Sequence, residues 1–301
     1  MKLFRRNLDI SHAAPRPATS ADLTRVSRLL RDGARRFQGF AGGELEPLLA
    51  SAPCMVLEGD GELWGVALCS WRAANTIWLR GLAVAEGLAV AQAADALLGP
   101  LHALLRTQGL AQLYYSGDDS SALWLQPLLL ERGYVLDTNV VVYEKRSLFI
   151  PGAGNQQALV RAARAGDTDA VTTLDGRCFD AQWTKDAHVL GPAIAQGPLF
   201  SVAELEGRLA GYAYATSHFG GRLIHLVRIA VDPQFQGQGV GVRLLAEIVE
   251  YARAYGADTI TLNTQSYNAH AQRLYQWFGF SLTGERQTVL RHDLQRMKDE
   301  G

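Results

Sequence analysis

The chain has 301 residues, long enough for two domains, and its 48% apolar content suffices for buried cores. A net charge of −1 argues against a broad nucleic-acid or anionic-membrane surface, which needs a basic excess. Cys54, Cys69 and Cys178 are scattered, with no Cys-x-x-Cys or Cys/His cluster, so no metal site and a reducing, cytoplasmic setting are expected.

At the N-terminus, Lys2, Arg5 and Arg6 suggest a signal peptide. Asn7, Asp9, Ser11 and His12 interrupt the apolar segment one needs, so a short disordered or edge-packed tail is expected. No apolar run approaches the length of a membrane span. Next comes a strand, then a helix starting near Asp22, where a carboxylate faces unpaired N–H groups. After a variable helical and loop region, a hairpin turns at Asp60-Gly61. A buried strand, a long amphipathic helix, a strand, a short helix and a last strand follow.

The second half repeats this order. Arg16 to Asp22 answers Arg161 to Asp167 at an offset of 145. Glu58-x-x-Gly61-x-Leu63-x-Gly65 answers Glu204-x-x-Gly207-x-Leu209-x-Gly211 at 146, and Ile77 to Val84 answers Ile224 to Val231 at 147. The Pro/Gly-rich stretch Ile150-Pro-Gly-Ala-Gly154 reads as the connector. We therefore expect two α/β domains of mixed sheet, 1–150 and 151–301.

Late in the second copy, an apolar strand, Leu223 to Val231, runs into Asp232-Pro-Gln-Phe-Gln236-Gly-Gln-Gly239-Val-Gly241. Beyond it, Val240, Leu244, Leu245, Ile248, Val249 and Ala252 keep helical period until Gly256. A glycine-rich turn thus joins a strand to a helix start. The N–H groups there lack internal partners, and the helix dipole adds positive charge. Gly237, Gly239 and Gly241 allow close approach of a bulky anion, so a phosphate or pyrophosphate is the expected ligand. There is no Gly-Lys-Ser/Thr, and the third glycine is misplaced for the dinucleotide fingerprint. Further on, Asn268-x-x-Ala271-x-x-x-Tyr275-x-x-x-Gly279-Phe280 places Asn268 and Tyr275 on one helix face.

Gln236-x-x-Gly239-x-Gly241 resembles the coenzyme A signature of the GNAT acetyltransferase superfamily, and the Asn268–Tyr275 run resembles its last motif. The resemblance covers residues 155 to 300. Its C-terminal half is similar to ribosomal-protein alanine acetyltransferases, and the two-copy layout resembles mycothiol synthase. It implies two tandem GNAT folds, each a mixed, mostly antiparallel sheet with helices on both faces. Only the second would be active. In the first, Ala89, Gln92 and Ala94 stand for Gln236, Gly239 and Gly241, Leu129 for Tyr275 and Ala122 for Asn268.

The resemblance implies acetyl-CoA as co-substrate and an amine as acceptor. The backbone of Ile229, Ala230 and Val231 would take the pantetheine arm. Amides of Gly237, Gln238, Gly239, Val240, Gly241 and Val242 would hold the pyrophosphate, with Gln236 of the signature also binding the cofactor. Asn268 would bond the pantetheine, or cap its helix, or both. Tyr275 would protonate the departing thiolate. The alanine acetyltransferases carry a glutamate five residues before the motif asparagine, where this chain has Asn263. Other GNAT enzymes draw a base from the preceding strand, four residues before the first pantetheine contact. The resemblance puts His225 there, on the face of Val227 and Ile229 by strand alternation; a water relay is the alternative. Phe179, Asp180 and Trp183 resemble the acceptor loop of those enzymes.

The expected activity is direct acetyl transfer to a small-molecule amine or protein N-terminus. The alternative is a non-catalytic acyl-CoA-binding sensor or interaction module. A monomer or homodimer with no nucleic-acid or membrane partner is expected.

Overall fold

The computed structural model describes residues 8–295, so Lys2, Arg5 and Arg6 lie outside the described residues. The first half runs β1 (Ala13–Pro17), α1 (Leu23–Asp32), β2 (Arg35–Gln38), α2 (Leu45–Ser51), β3 (Cys54–Gly59), β4 (Glu62–Ala73), β5 (Thr76–Val84), α3 (Val90–Thr107), β6 (Gln112–Ser116), α4 (Asp119–Ala122), α5 (Leu125–Leu130) and β7 (Val135–Lys145). The second half runs β8 (Leu159–Ala162), α6 (Thr168–Cys178), α7 (Ala187–Gln196), β9 (Leu199–Leu205), β10 (Arg208–His218), β11 (Leu223–Val231), α8 (Val240–Ala254), β12 (Thr259–Gln265), α9 (Ala269–Trp277) and β13 (Ser281–Asp293). Among the described residues no helix is long and apolar enough to cross a membrane.

Among the described residues two compact units result: 8–137 with 288–295, and 138–287. This division departs from the expected boundary at residue 150. Hydrogen bonding decides it. Residues 140–145 of β7 pair antiparallel with β12 in the second unit, whereas residues 289–293 of β13 pair antiparallel with β6 in the first.

Within the first unit β1, β3, β4 and β5 are antiparallel neighbours, and β5 lies parallel to β6. Within the second, β8, β9, β10 and β11 are antiparallel neighbours, and β11 lies parallel to β12. Each sheet buries both faces. In the second unit Leu244, Ile248 and Ala252 of α8 pack under one face with Ile224 and Leu226. Val171 and Leu174 of α6 with Leu190 and Ile194 of α7 cover the other at Tyr212 and Ala230. In the first, α3 packs on one face and α1 with α2 on the other.

The sequence repeat is also a repeat of side-chain chemistry. Arg16 bonds Asp22 through both terminal nitrogens, at 2.8 and 2.7 Å, and Glu58 through Nε at 2.6 Å. Arg161 does the same with Asp167, at 2.8 Å twice, and with Glu204 at 2.9 Å. The paired guanidinium holds the Asp22 and Asp167 carboxyls down at about 2. Both hairpin turns use two left-handed residues, Asp60-Gly61 and Glu206-Gly207, the geometry that matches strand twist.

Candidate active site

In the second unit the parallel pairing of β11 with β12 runs from Leu223–Thr259 to Leu226–Leu262 and stops. Both strands continue, β11 to Val231 and β12 to Gln265, so the sheet opens between them. On its other side β11 stays paired to β10 up to Val231. Residues 227–231 therefore turn main-chain groups that no strand pairs into the opening, with the Val231 carbonyl taken by side chains, Gln236 Nε2 among them at 3.2 Å. The register with β10 shifts from Tyr214–Arg228 to Ala215–Leu226, leaving Val227 as a bulge at the point of divergence.

The glycine-rich turn closes the wide end of this opening. Gly237 and Gly239 sit at φ +76° and +78°, which only glycine adopts without strain. Gly239 is the N-cap of α8, leaving the first-turn N–H groups free. Behind the turn, Gly154 at the end of the expected connector and the next residue, Asn155, form a strut. The Asn155 N–H donates to the Gly239 carbonyl at 3.1 Å, and Asn155 Nδ2 donates to the Gln238 carbonyl at 2.9 Å. Gly154 runs so close that a Cβ on it would lie 2.3 Å from the Arg243 nitrogen.

A cavity of about 670 Å³ fills the space between the turn, the open edge of β11 and α9. Of the expected cofactor-binding residues, Ile229, Ala230, Val231, Gln236, Gly237, Gly239, Val240, Gly241, Val242 and Asn268 line it, as does Tyr275. Gln238 does not: its side chain folds back to the Gln234 carbonyl at 3.1 Å. Asn268 is the N-cap of α9, its Oδ1 accepting the Ala271 N–H at 3.1 Å. Its amide NH₂ remains available to a ligand, so capping and ligand binding are compatible.

Tyr275 is 6% exposed and packs edge-on against Phe280. Burial pushes its hydroxyl well above the usual phenol range, so it holds its proton throughout the neutral range. Cys178 also lines the cavity. Its thiol donates to the Val231 carbonyl at 3.3 Å, and burial pushes it up to about 11. It is therefore a thiol rather than a nucleophilic thiolate at neutral pH.

His225 stands elsewhere than strand alternation placed it. Ile224 and Leu226 face the α8 side, and beyond the bulge Ile229 and Val231 face that same side. One extra residue reverses the alternation, so His225 does not share a face with Ile229. It lies on the α6–α7 side, outside the cavity lining. Its Nδ1 sits 2.9 Å from Thr261 Oγ1, and burial lowers its pKa below the ordinary imidazole value.

On that same side Arg228 forks onto buried Asp175, at 2.5 and 2.9 Å, donates to the Trp183 carbonyl at 2.7 Å and stacks 3.7 Å over the Phe179 ring. The Tyr212 hydroxyl donates to the same carboxylate. This network fixes the loop after α6. From that loop Trp183 Nε1 donates to the Tyr267 hydroxyl at 3.1 Å. Phe179 lines the cavity, whereas Asp180 and Trp183 do not. Sequence reasoning missed His270, Arg273 and Trp277, which also line it. Their spacing after Asn268 puts them on one side of α9, a signal visible in the sequence. Arg273 adds a cation to the same lining as the glycine turn.

In the first unit the equivalent opening is filled. There β5 pairs with β6 only from Thr76–Gln112 to Leu79–Tyr115. Beyond that point β2 lies against β5, with Arg35, Arg36, Phe37 and Gln38 opposite Val84, Ala83, Leu82 and Gly81. No strand was expected in that variable region. The chain itself satisfies the edge that the second unit leaves open.

Comparison with known proteins agrees with this geometry. The model of the acetyltransferase (GNAT) family matches residues 168–280. A Bacillus subtilis protein named as a ribosomal protein bS18-alanine N-acetyltransferase is 31% identical over 132 residues, 43% of this chain and 85% of that protein. Another B. subtilis protein, named spermine/spermidine N(1)-acetyltransferase, is 36% identical over 88 residues, 27% of this chain and 57% of that protein. Among solved structures, a tandem GNAT protein from the clavulanic acid biosynthesis pathway superposes with a TM-score of 0.63 at 15% identity, over 94% of this chain and 98% of that one, a likeness of fold. With its opened parallel strands, its glycine turn and a relative matched over most of that relative's length, this chain belongs to the GNAT family of acetyltransferases.

Proposed function

We propose that residues 138–287 transfer acetyl from acetyl-CoA to a primary amine, of a small molecule or a protein N-terminus, by direct attack on the thioester. The parting of β11 from β12 after Leu226, above a turn of free N–H groups, is the observation that carries this reading. The residues present suit the co-substrate. Main chain at 227–230 that no strand pairs matches the amides of a pantetheine arm. The α8 N-terminus and Arg273 match a pyrophosphate. An acceptor amine must approach from the α6–α7 side, because α8 and α9 close the other. Tyr275 is the acid for the leaving thiolate. His225 or a water relay is the base; the bulge sets His225 apart from the cavity, which favours a relay between it and the amine. A ping-pong route through Cys178 is disfavoured by its raised pKa. The first unit takes no acetyl-CoA, because β2 occupies its opening and Gln92 and Ala94 crowd its turn.

The test has two parts. Calorimetric titration is expected to give one acetyl-CoA per chain, and thiol release over a panel of amines is expected to give turnover. Two sites of similar affinity would remove the distinction between the units. A second reading, an acyl-CoA-binding module without catalysis, draws on Asn263 in place of a carboxylate. It requires tight binding with no thiol release for any amine.

A further inference from the structure

The side of the sheet from which an acceptor approaches carries one row of polar side chains across four strands. Thr216 of β10 is opposite His225 of β11, His225 is opposite Thr261 of β12, and Thr261 is opposite Glu144 of β7. Directly opposed residues share a face, with Cβ atoms about 4.5–5.5 Å apart. Tyr143 and Lys145, on either side of Glu144, turn the other way: Tyr143 packs with Leu262, and Lys145 Nζ donates to the Phe278 carbonyl. Glu144 therefore stands on the acceptor side. The row lies one residue before the last β11–β12 pair, at the narrow end of the opening.

Of the carboxylates nearest the acceptor loop, Asp175, Asp186 and Asp180, two are committed. Asp175 is wholly buried under Arg228, Tyr212 and the Lys185 N–H. Asp186 caps α7 through the Val189 N–H. Asp180 is exposed on the loop after α6. Glu144 is about a third exposed, and its ion pair, at 3.2 Å, is with Arg146, itself three-quarters exposed and so weakly held.

Resting on the transferase reading above, we propose that Glu144 is a specificity residue that binds a second ammonium group of the acceptor, selecting diamines over simple amines. One strand step is about 3.4 Å and one strand spacing about 4.8 Å. Glu144 thus begins about 8 Å from the narrow end of the opening, within reach of the far nitrogen of a short aliphatic diamine whose near nitrogen faces the thioester. Its carboxylate would take the cation that Asn263, one strand over and two residues further along, cannot. This carboxylate comes from the last strand of the first sequence copy, so the first copy contributes to acceptor choice.

The experiment compares 1,4-diaminobutane with 1-aminobutane in thiol release by the full chain and its Glu144→Gln variant. Wild type is expected to prefer the diamine about tenfold or more, the worth of one charge-assisted hydrogen bond. Glu144→Gln is expected to remove that preference through KM, leaving 1-aminobutane turnover and acetyl-CoA affinity unchanged. An unchanged preference in Glu144→Gln, or its loss in Asp180→Asn instead, would overturn the proposal. Failure of wild type to acetylate any amine while binding acetyl-CoA would refute the transferase reading separately. Equilibrium titration of the diamine would then still decide Glu144, equal affinity for both proteins counting against it.

Discussion

Gly241→Asp separates ligand binding from folding, because the structure gives the two effects opposite signs. Gly241 is the second residue of α8 and has no positive φ. A Cβ there would meet Leu274 and Val231 at 3.5 Å, ordinary contact distance, so the side chain fits and projects into the cavity. Replacing glycine in a helix gains a few tenths of a kcal/mol, and a carboxylate in the first turn gains about 0.3–1 kcal/mol against the dipole. The free protein should be more stable by about 0.5–1.5 kcal/mol, raising Tm by a few degrees. A pyrophosphate on the same N–H groups would lie about 5 Å from the new charge. At an effective dielectric constant of about 20 each such pair repels by about 3 kcal/mol before screening. After screening, a loss above about 1.4 kcal/mol, tenfold in Kd, is expected. Thermal unfolding with and without acetyl-CoA reads both signs together, and calorimetric titration gives Kd. A variant that folds normally and binds acetyl-CoA with unchanged Kd would show that this turn is not the anion clamp.

Three further outcomes follow from the site. Tyr275→Phe keeps the buried ring and removes the proton, so turnover should fall by about 10²-fold or more with acetyl-CoA affinity nearly unchanged; full turnover would assign Tyr275 to packing. If neutral His225 takes the amine proton, directly or through water, kcat/KM should rise with pH through a pKa below the ordinary 6.5, since burial disfavours the imidazolium. His225→Gln should then abolish that limb, whereas a limb that survives the substitution belongs to the acceptor amine. Gly154→Ala forces a Cβ against α8 backbone at a residue with φ +73°, so it should cost about 1–3 kcal/mol in unfolding experiments and weaken acetyl-CoA binding; wild-type Tm and Kd would discount the strut behind the turn.

What the sequence determined by itself is local in the chain. The strand, glycine turn and helix from Leu223 to Ala254 are contiguous, and so are the cap and face of Asn268 to Tyr275. Backbone conformation and helical period, which need no distant partner, specify them. The doubling was legible too, because Arg161, Asp167 and Glu204 repeat Arg16, Asp22 and Glu58 in type and spacing. Tertiary structure alone decided what depends on pairing across long separations. A single bulged residue, Val227, moved His225 to the other face, and no local pattern in an apolar strand marks a bulge. The pairing of β2 with β5 closed the first unit's opening although Arg35-Arg36-Phe37-Gln38 lacks strand-like alternation. Residues 289–293 joined the first unit's sheet and 140–145 the second's, placing Glu144 beside Thr261. Register and strand partner are set by which edges remain unsatisfied once the whole chain is packed, and that information is spread over the fold rather than written at the residues concerned.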